Sequence, residues 1–297
     1  MPVVEPPEDP ALPLPTSRPQ HLLITLLGDY WYGRRERLPS AALVELLAEF
    51  GVTAVGARGA LSRLSRRELL DSERVGRRTY YGLTQKAVDM IVDGSRRILS
   101  FGADASAWDG HWTVAAFSVP EHQRDLRHAL RSQLRWLGLA PLYDGVWVTH
   151  RPVAADVAAI LAELDVPAAT VFTATAGPGG RNPIEAWNLD GLRGDYENLI
   201  DRFRPLVERA RGGRVGAAEA LVARTVLMDA WRNLPNLDPE LPADLLPERW
   251  PRETGRALFV ELYDGLAPLA QTRVRQIVAR HDAALARLVR AHDSRAD

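Results

Sequence analysis

The stretch Ser40–Leu83, SAALVELLAEFGVTAVGARGALSRLSRRELLDSERVGRRTYYGL, limits what this chain can fold into more than any other. Leu43, Leu46, Leu47 and Phe50 recur at i, i+3, i+4 and i+7, one buried stripe of a helix, while Glu45 and Glu49 turn away. Gly51 stands where a helix ends in a left-handed residue. Thr53 offers a hydroxyl cap for a second helix. Helix, glycine-containing turn and helix are the outline of a helix-turn-helix.

The second helix has two faces. Ala57, Ala60, Leu61 and Leu64 cluster on one side; Arg58, Gly59, Ser62, Arg63 and Arg66 cluster on the other, with Val55 near its start. A face with Arg and Ser but no carboxylate suits a DNA major groove, where Arg bonds guanine O6 and N7. A solvated Arg-rich helix is the plain alternative. The continuation favours the groove: residues 71–83 read as a hairpin with Gly76-Arg77-Arg78 at its tip, and Arg58 to Lys86 holds eight basic and three acidic residues. The expected DNA contacts are therefore Thr53, Val55, Arg58, Ser62, Arg63 and Arg66 on the helix. On the hairpin they are Arg74, Arg77, Arg78 and Thr79, placed for phosphates or the minor groove.

Charge distribution points the same way. The 297 residues carry a net charge of −1, but residues 18–100 hold fourteen Arg/Lys against nine Asp/Glu, so the remainder is acidic. One nucleic-acid-binding domain on an acidic body fits that asymmetry. The chain has no cysteine, which removes disulfides, thiolate metal sites and cysteine nucleophiles. No apolar run approaches the ~18 residues of a membrane span, and no signal peptide is evident at the N-terminus. A cytoplasmic protein with no membrane partner is expected.

Along the chain, residues 1–17 are rich in proline and acid and read as a disordered tail. Residues 18–100 make the winged helix-turn-helix: a first helix with Leu22, Leu23, Leu26, Leu27 and Tyr30, then the helix-turn-helix and hairpin. A closing helix capped by Thr84 follows, carrying Val88, Ile91 and Ile98. Residues 101–176 give a linker, then a strand at Trp112–Val119 and a helix at Glu121–Leu137. Strands at Ala140–Tyr143 and Val146–Thr149 follow, joined by Asp144-Gly145, then a helix near Ala154–Leu164 and a strand at Thr170–Thr175. That β-α-β-β-α-β order is ferredoxin-like. Residues 177–297 show no strand pattern; helices are expected at Gly191–Ala210, Gly216–Leu234, Glu253–Leu266 and Ala270–Val289, with a proline-rich connection at Pro235–Pro251. The fold class is α+β.

Several blocks taken together resemble a known family: LLGDY (Leu26–Tyr30), ALSRL (Ala60–Leu64), VGRRTYYGLT (Val75–Thr84), WDGHW (Trp108–Trp112), LRWLGLAPLYDGVWV (Leu134–Val148) and LDPELPADLLPERWP (Leu237–Pro251). In this order they resemble the PaaX-type transcriptional regulators, from roughly Arg18 to Gln271. The resemblance implies a GntR-like winged helix, a central domain similar in fold to the small CRISPR-associated nuclease of spacer acquisition, and a helical C-terminal domain. It further implies a homodimeric repressor without a cofactor that binds a palindromic double-stranded operator. A small-molecule effector, an acyl-CoA or aryl-CoA thioester of the phenylacetyl-CoA kind, would release it.

Other chemistries are weaker. The nuclease-like central fold raises metal-dependent cleavage of nucleic acid, but Trp112–Val119 contains no carboxylate to hold a metal. His281-Asp282 and His292-Asp293 look like metal pairs, yet they have no partner histidine at suitable spacing and lie near an end expected to fray. Gly177, Gly179, Gly180 and Arg181 lack the helix and Lys-Ser/Thr of a phosphate loop and read as a linker. Arg127, Arg131 and Arg135 share one helix face, which suits phosphates, a dimer partner or solvent. Trp108, His111, Arg131 and Arg135 are the candidate effector contacts; the other tryptophans read as core or interface anchors. No catalytic and no metal-binding residues are expected, and the protein is read as a regulator, not an enzyme.

Overall fold

The structure is a computed structural model and describes residues 18–103 and 107–295. The tail expected at residues 1–17 lies outside them. Helices and two small antiparallel sheets are segregated along the chain, an α+β arrangement.

In chain order, α1 (Pro19–Trp31), strand β1 (Leu38–Pro39), α2 (Ser40–Ala48) and α3 (Ala54–Arg66) precede the hairpin β2 (Leu70–Val75) and β3 (Arg78–Leu83), and α4 (Gln85–Ser100) closes the segment. β4 (Trp112–Ser118), α5 (Arg124–Trp136), β5 (Ala140–Tyr143), β6 (Val146–Thr149), α6 (Ala154–Glu163) and β7 (Ala168–Ala174) follow. The rest is helical: α7 (Leu189–Arg211), α8 (Ala217–Trp231), α9 (Leu234–Leu237), α10 (Arg252–Gly265), α11 (Ala267–Ala279) and α12 (Ala283–Ala286). The chain forms two compact units, each discontinuous in sequence. Of the described residues, one comprises 18–101, 198–235 and 253–295; the other comprises 102–103, 107–197 and 236–252.

In the first unit, α3 packs on α1 and α2, and α11 packs on α8 and α2. The apolar stripes read from the sequence are buried: Leu22, Leu23, Leu26, Leu27 and Tyr30 of α1, Leu43, Leu46 and Leu47 of α2 with Phe50 beyond it, and Ala57, Ala60, Leu61 and Leu64 of α3. Gly51 has φ 73°. Thr53 accepts a hydrogen bond from the Gly56 N–H, and Thr84 accepts one from the Ala87 N–H, so both expected caps form. β1 was not apparent in the sequence; Leu38 and Pro39 pair with Tyr81 and Tyr80, extending the hairpin to three strands.

A buried ionic cluster ties this unit together. Asp29, in the apolar helix α1, lies 3.2 Å from Nη1 of Arg224 in α8, and the Arg224 side chain is wholly buried. Tyr263 Oη donates to Asp29 Oδ1 at 2.8 Å, and Arg224 Nε donates to the Tyr263 carbonyl at 2.9 Å. The guanidinium sits 3.7 Å from the Tyr263 ring centroid and donates through Nη2 to the His292 carbonyl. The C-terminal segment is therefore pinned, contrary to the frayed end expected: the His292 N–H donates to the Asp29 carbonyl, and Ser294 binds Asp264 through N–H and hydroxyl. The helix expected at Ala270–Val289 is also interrupted. α11 stops at Ala279, and the Asp282 side chain accepts from the Ala284 and Leu285 N–H groups to start α12.

In the second unit the strand order is β5-β6-β4-β7 with every neighbour antiparallel. α5 and α6 cover one face, where Ala115, Leu130, Leu134, Trp147, Val157 and Leu161 form a core. Trp112, Val114, Leu142 and Val148 point to the other face, packed by Trp108 and Trp187. α5 begins three residues later than the sequence suggested, because the Gln123 N–H donates to the Pro120 carbonyl and closes a turn first. Most tryptophans anchor cores as expected; Trp136 does not, being 82% exposed.

Candidate nucleic-acid interface

The candidate surface lies in the first unit and is built from α3 and the β2–β3 hairpin. With the alanine and leucine face of α3 buried against α1 and α2, the opposite face projects outward: Thr53, Arg58, Ser62, Arg63 and Arg66 are exposed, and Val55 is 78% exposed. Arg63 Nε donates to Gln20 Oε1 at 3.0 Å, which steadies one of these side chains along α1. The hairpin reverses over two residues. Gly76 has φ 61° at the first loop position, where a type II′ turn requires a positive φ. Arg78 already belongs to β3, so the tip is Gly76-Arg77 and not the three residues expected. Arg74, Arg77 and Arg78 are exposed, Thr79 is half-buried, and Arg74 Nε donates to the Gly76 carbonyl at 3.3 Å. All ten expected DNA contacts thus fall on two adjoining elements.

Arg37 was missed by the sequence reading. β2 carries two carboxylates, Asp71 and Glu73, that by themselves repel a phosphate. Arg37 Nη2 lies 2.6 Å from Asp71 Oδ2 and Nη1 lies 2.8 Å from Glu73 Oε2, so one side chain engages both. The hydrogen bond with Asp71 raises the Arg37 pKa above its ordinary value. The approach depends on Gly82: a Cβ there would stand 2.9 Å from Arg37 Cγ and 3.0 Å from Asp71 Oδ1. With the strand carboxylates engaged, the hairpin tip presents cations. The adjacent Lys86 lies 3.5 Å from the Glu68 carboxylate. The signal for Arg37 is faint in sequence, since its partners are 34 and 36 positions away.

The four candidate effector contacts do not converge. Trp108, whose indole N–H donates to the His111 carbonyl at 3.0 Å, packs edge-on to Trp112 with ring centroids 5.6 Å apart on one sheet face. His111 is exposed, its Nδ1 2.9 Å from the Asp109 carbonyl oxygen. Arg131 and Arg135 lie on α5, over the other face: Arg131 Nη2 donates to Asp144, and the Arg135 guanidinium sits 5.3 Å from the Trp147 ring centroid. Arg127 Nη2 donates to the Val119 carbonyl at 2.9 Å. The arginine face of α5 is therefore engaged within its own unit. Arg181, in the glycine-rich loop, donates to the Leu142 and Glu185 carbonyls.

His281 Nε2 lies 2.7 Å from Glu45 Oε2, a contact between α2 and the end of α11. Among the described residues no group of three or more His, Asp or Glu is placed to hold a metal ion. Nor, among them, is any helix long and apolar enough to cross a membrane. His150 is buried; desolvation, with Arg151 and Arg252 nearby, lowers its pKa to about 4.

Comparison with known proteins agrees across the chain. Three family models match in sequence order: the PaaX-like protein model at residues 18–87, the PaaX protein central Cas2-like domain at 105–185, and the PaaX-like protein C-terminal domain at 187–276. A curated relative, the transcriptional repressor PaaX of Escherichia coli K12, is 28% identical over 258 residues, covering 84% of this chain and 80% of its own. Among solved structures, an uncharacterised protein from Mycobacterium tuberculosis is similar in fold with a TM-score of 0.55 at 20% identity, covering 85% of this chain and 97% of its own.

Proposed function

The chain belongs to the PaaX family, and on that premise we propose that it is a DNA-binding transcriptional repressor, a regulator and not an enzyme. The observation that carries this reading is the exposed cationic face of α3 beside a hairpin tip bearing Arg74, Arg77 and Arg78, its strand carboxylates held by Arg37. The E. coli relative's role as a repressor supports it.

We read residues 18–100 as a winged helix-turn-helix: three helices, a hairpin and a closing helix in the right order support that. α3 enters the major groove, where Arg58, Ser62, Arg63 and Arg66 bond base edges or flanking phosphates. Arg74, Arg77, Arg78 and Thr79 hold the backbone beside it. The strand order β5-β6-β4-β7 with its two helices supports a ferredoxin-like centre at residues 101–176, and helices α7 to α12, with the C-terminal family match at 187–276, support a further helical part at 177–297. A homodimer would set two α3 helices one DNA turn, about 34 Å, apart on a palindromic operator. The exposed Trp136 and Phe172 supply apolar surface for association. An acyl-CoA or aryl-CoA effector releases DNA by binding more tightly to the conformation that does not fit both grooves. Trp108 with His111 on one sheet face, or Arg131 with Arg135 over the other, would contact it, but not all four together.

The test is a titration of the full chain against DNA from upstream of its own gene, with scrambled DNA as control. A sequence-specific complex is expected, weakened by Arg63→Ala with Arg66→Ala. Equal binding to both DNAs contradicts the proposal.

A further inference from the structure

The described chain starts at Arg18, beside the DNA-facing surface of α3. Gln20, the second residue of α1, accepts at Oε1 from Arg63 Nε at 3.0 Å. Burial and Arg232 lower the His21 pKa, and the neighbouring Arg18 and Arg67 lower it further. Whatever precedes Arg18 is therefore delivered among cations. α3 itself holds no Asp or Glu, and Arg58, Arg63, Arg66 and the following Arg67 are exposed. Among the described residues none of these four pairs with a carboxylate. The preceding residues, 1–17, carry Glu5, Glu8 and Asp9 and no Arg or Lys. Length permits a meeting. Glu8 stands ten positions before Arg18, at most about 35 Å of chain, whereas the 13 residues of α3 span about 20 Å.

We propose that the acidic segment 1–17 docks in cis on the exposed arginine face of α3 and competes with DNA for it. The competition rests on the repressor reading above; the docking does not. Carboxylates occupy the guanidinium groups that would otherwise meet phosphates, so segment and DNA exclude each other. Attachment through Arg18 holds the segment at an effective concentration in the mM range, so contacts too weak for a free peptide suffice. Its six prolines fix φ and reduce the entropy lost on docking. Because the segment acts on the free protein, it weakens specific and non-specific DNA binding by the same factor. Salt screens the contact, so the effect belongs to low ionic strength.

The chain has no cysteine, so Ala11→Cys accepts a single nitroxide label in the full-length protein. Amide NMR signals are then compared at about 0.05 M and about 0.5 M salt. Signals of Arg58, Ser62 and Arg66 are expected to broaden at low salt and to recover at high salt. Adding Glu5→Gln, Glu8→Gln and Asp9→Asn together should abolish the broadening. In DNA titrations at low salt, deletion of residues 2–17, or the triple substitution, should tighten binding to upstream and scrambled DNA alike, at least threefold. At high salt the variants should match wild type. Absence of α3 broadening overturns the docking, even if DNA binding tightens, since general charge repulsion would explain that. Broadening that survives the triple substitution overturns its ionic basis, and broadening seen only between separately labelled copies overturns docking in cis. Docking without tighter DNA binding on deletion overturns the competition. If docking is seen but neither wild type nor the deletion variant forms a specific complex, the repressor reading fails and the docking stands.

Discussion

Removing either member of the Asp29–Arg224 pair should destabilise the first unit, and the two losses should differ in their pH dependence. Arg224 is wholly buried, with Asp29 Oδ2 3.2 Å from Nη1 and backbone carbonyls of Tyr263 and His292 on Nε and Nη2. Asp29→Asn preserves shape but leaves a buried guanidinium that cannot lose its proton. Breaking such a pair from one side costs about 3–5 kcal/mol. Arg224→Met leaves a carboxyl instead, whose pKa burial already raises; without Arg224 it rises further. A folded pKa above the unfolded value means the folded state holds the extra proton between the two. Stability of Arg224→Met therefore falls as pH rises through that window, by up to about 1.4 kcal/mol per pH unit, and recovers on acidification toward the ordinary carboxylate pKa of 3.8. Urea unfolding at pH 5 and pH 8, each referred to wild type, reads both effects. The Met deficit should shrink at pH 5, the Asn deficit should not, and Asp29→Leu with Arg224→Met should be more stable than either single variant. An Asn deficit below about 1 kcal/mol, or a Met deficit that does not shrink, refutes the reasoning.

Further outcomes follow from other sites. Arg37→Ala should weaken DNA binding, because Asp71 and Glu73 would then face the phosphates unneutralised, while leaving the unfolding midpoint nearly unchanged, since the pair is solvent-exposed; a gel-shift and a melt check this. Arg77→Ala with Arg78→Ala should lower the salt dependence of binding by about two phosphate contacts without altering base preference. His150 is held neutral, its pKa lowered to about 4. The unfolded chain binds that proton first, so stability should be present above pH 6.5 and fall as pH drops toward 4, by on the order of 3 kcal/mol; His150→Gln should flatten that slope in urea titrations. Thr53→Ala should cost about 1 kcal/mol through loss of the α3 cap.

What the sequence made legible was local. The stripes of α1, α2 and α3, the caps Thr53 and Thr84, and the Asp144-Gly145 hairpin depend on residues within a few positions of one another. What it hid was long-range. β1 is two residues long and exists because it pairs with β3 some 40 positions on. Arg37 works only because Gly82 leaves room beside it. Asp29, the one carboxylate of the apolar helix α1, and Arg224, the one cation of α8, are the kind of oddity that announces buried pairing, but not its partner. The expected effector residues shared proximity in sequence or a helix face, and neither reveals that a sheet separates Trp108 from Arg135.

The central claim is that the face of α3 and the hairpin tip read DNA. Measuring the affinity of wild type and of Arg63→Ala with Arg66→Ala for the upstream region of its own gene, across a series of salt concentrations, tests it directly. A specific complex is expected whose logarithmic affinity falls linearly with the logarithm of salt concentration, at a slope of about −0.9 per phosphate contacted. The double variant should bind that DNA at least tenfold more weakly and discriminate it less from scrambled DNA. Wild-type binding that ignores salt, or a double variant with undiminished affinity, would contradict the assignment.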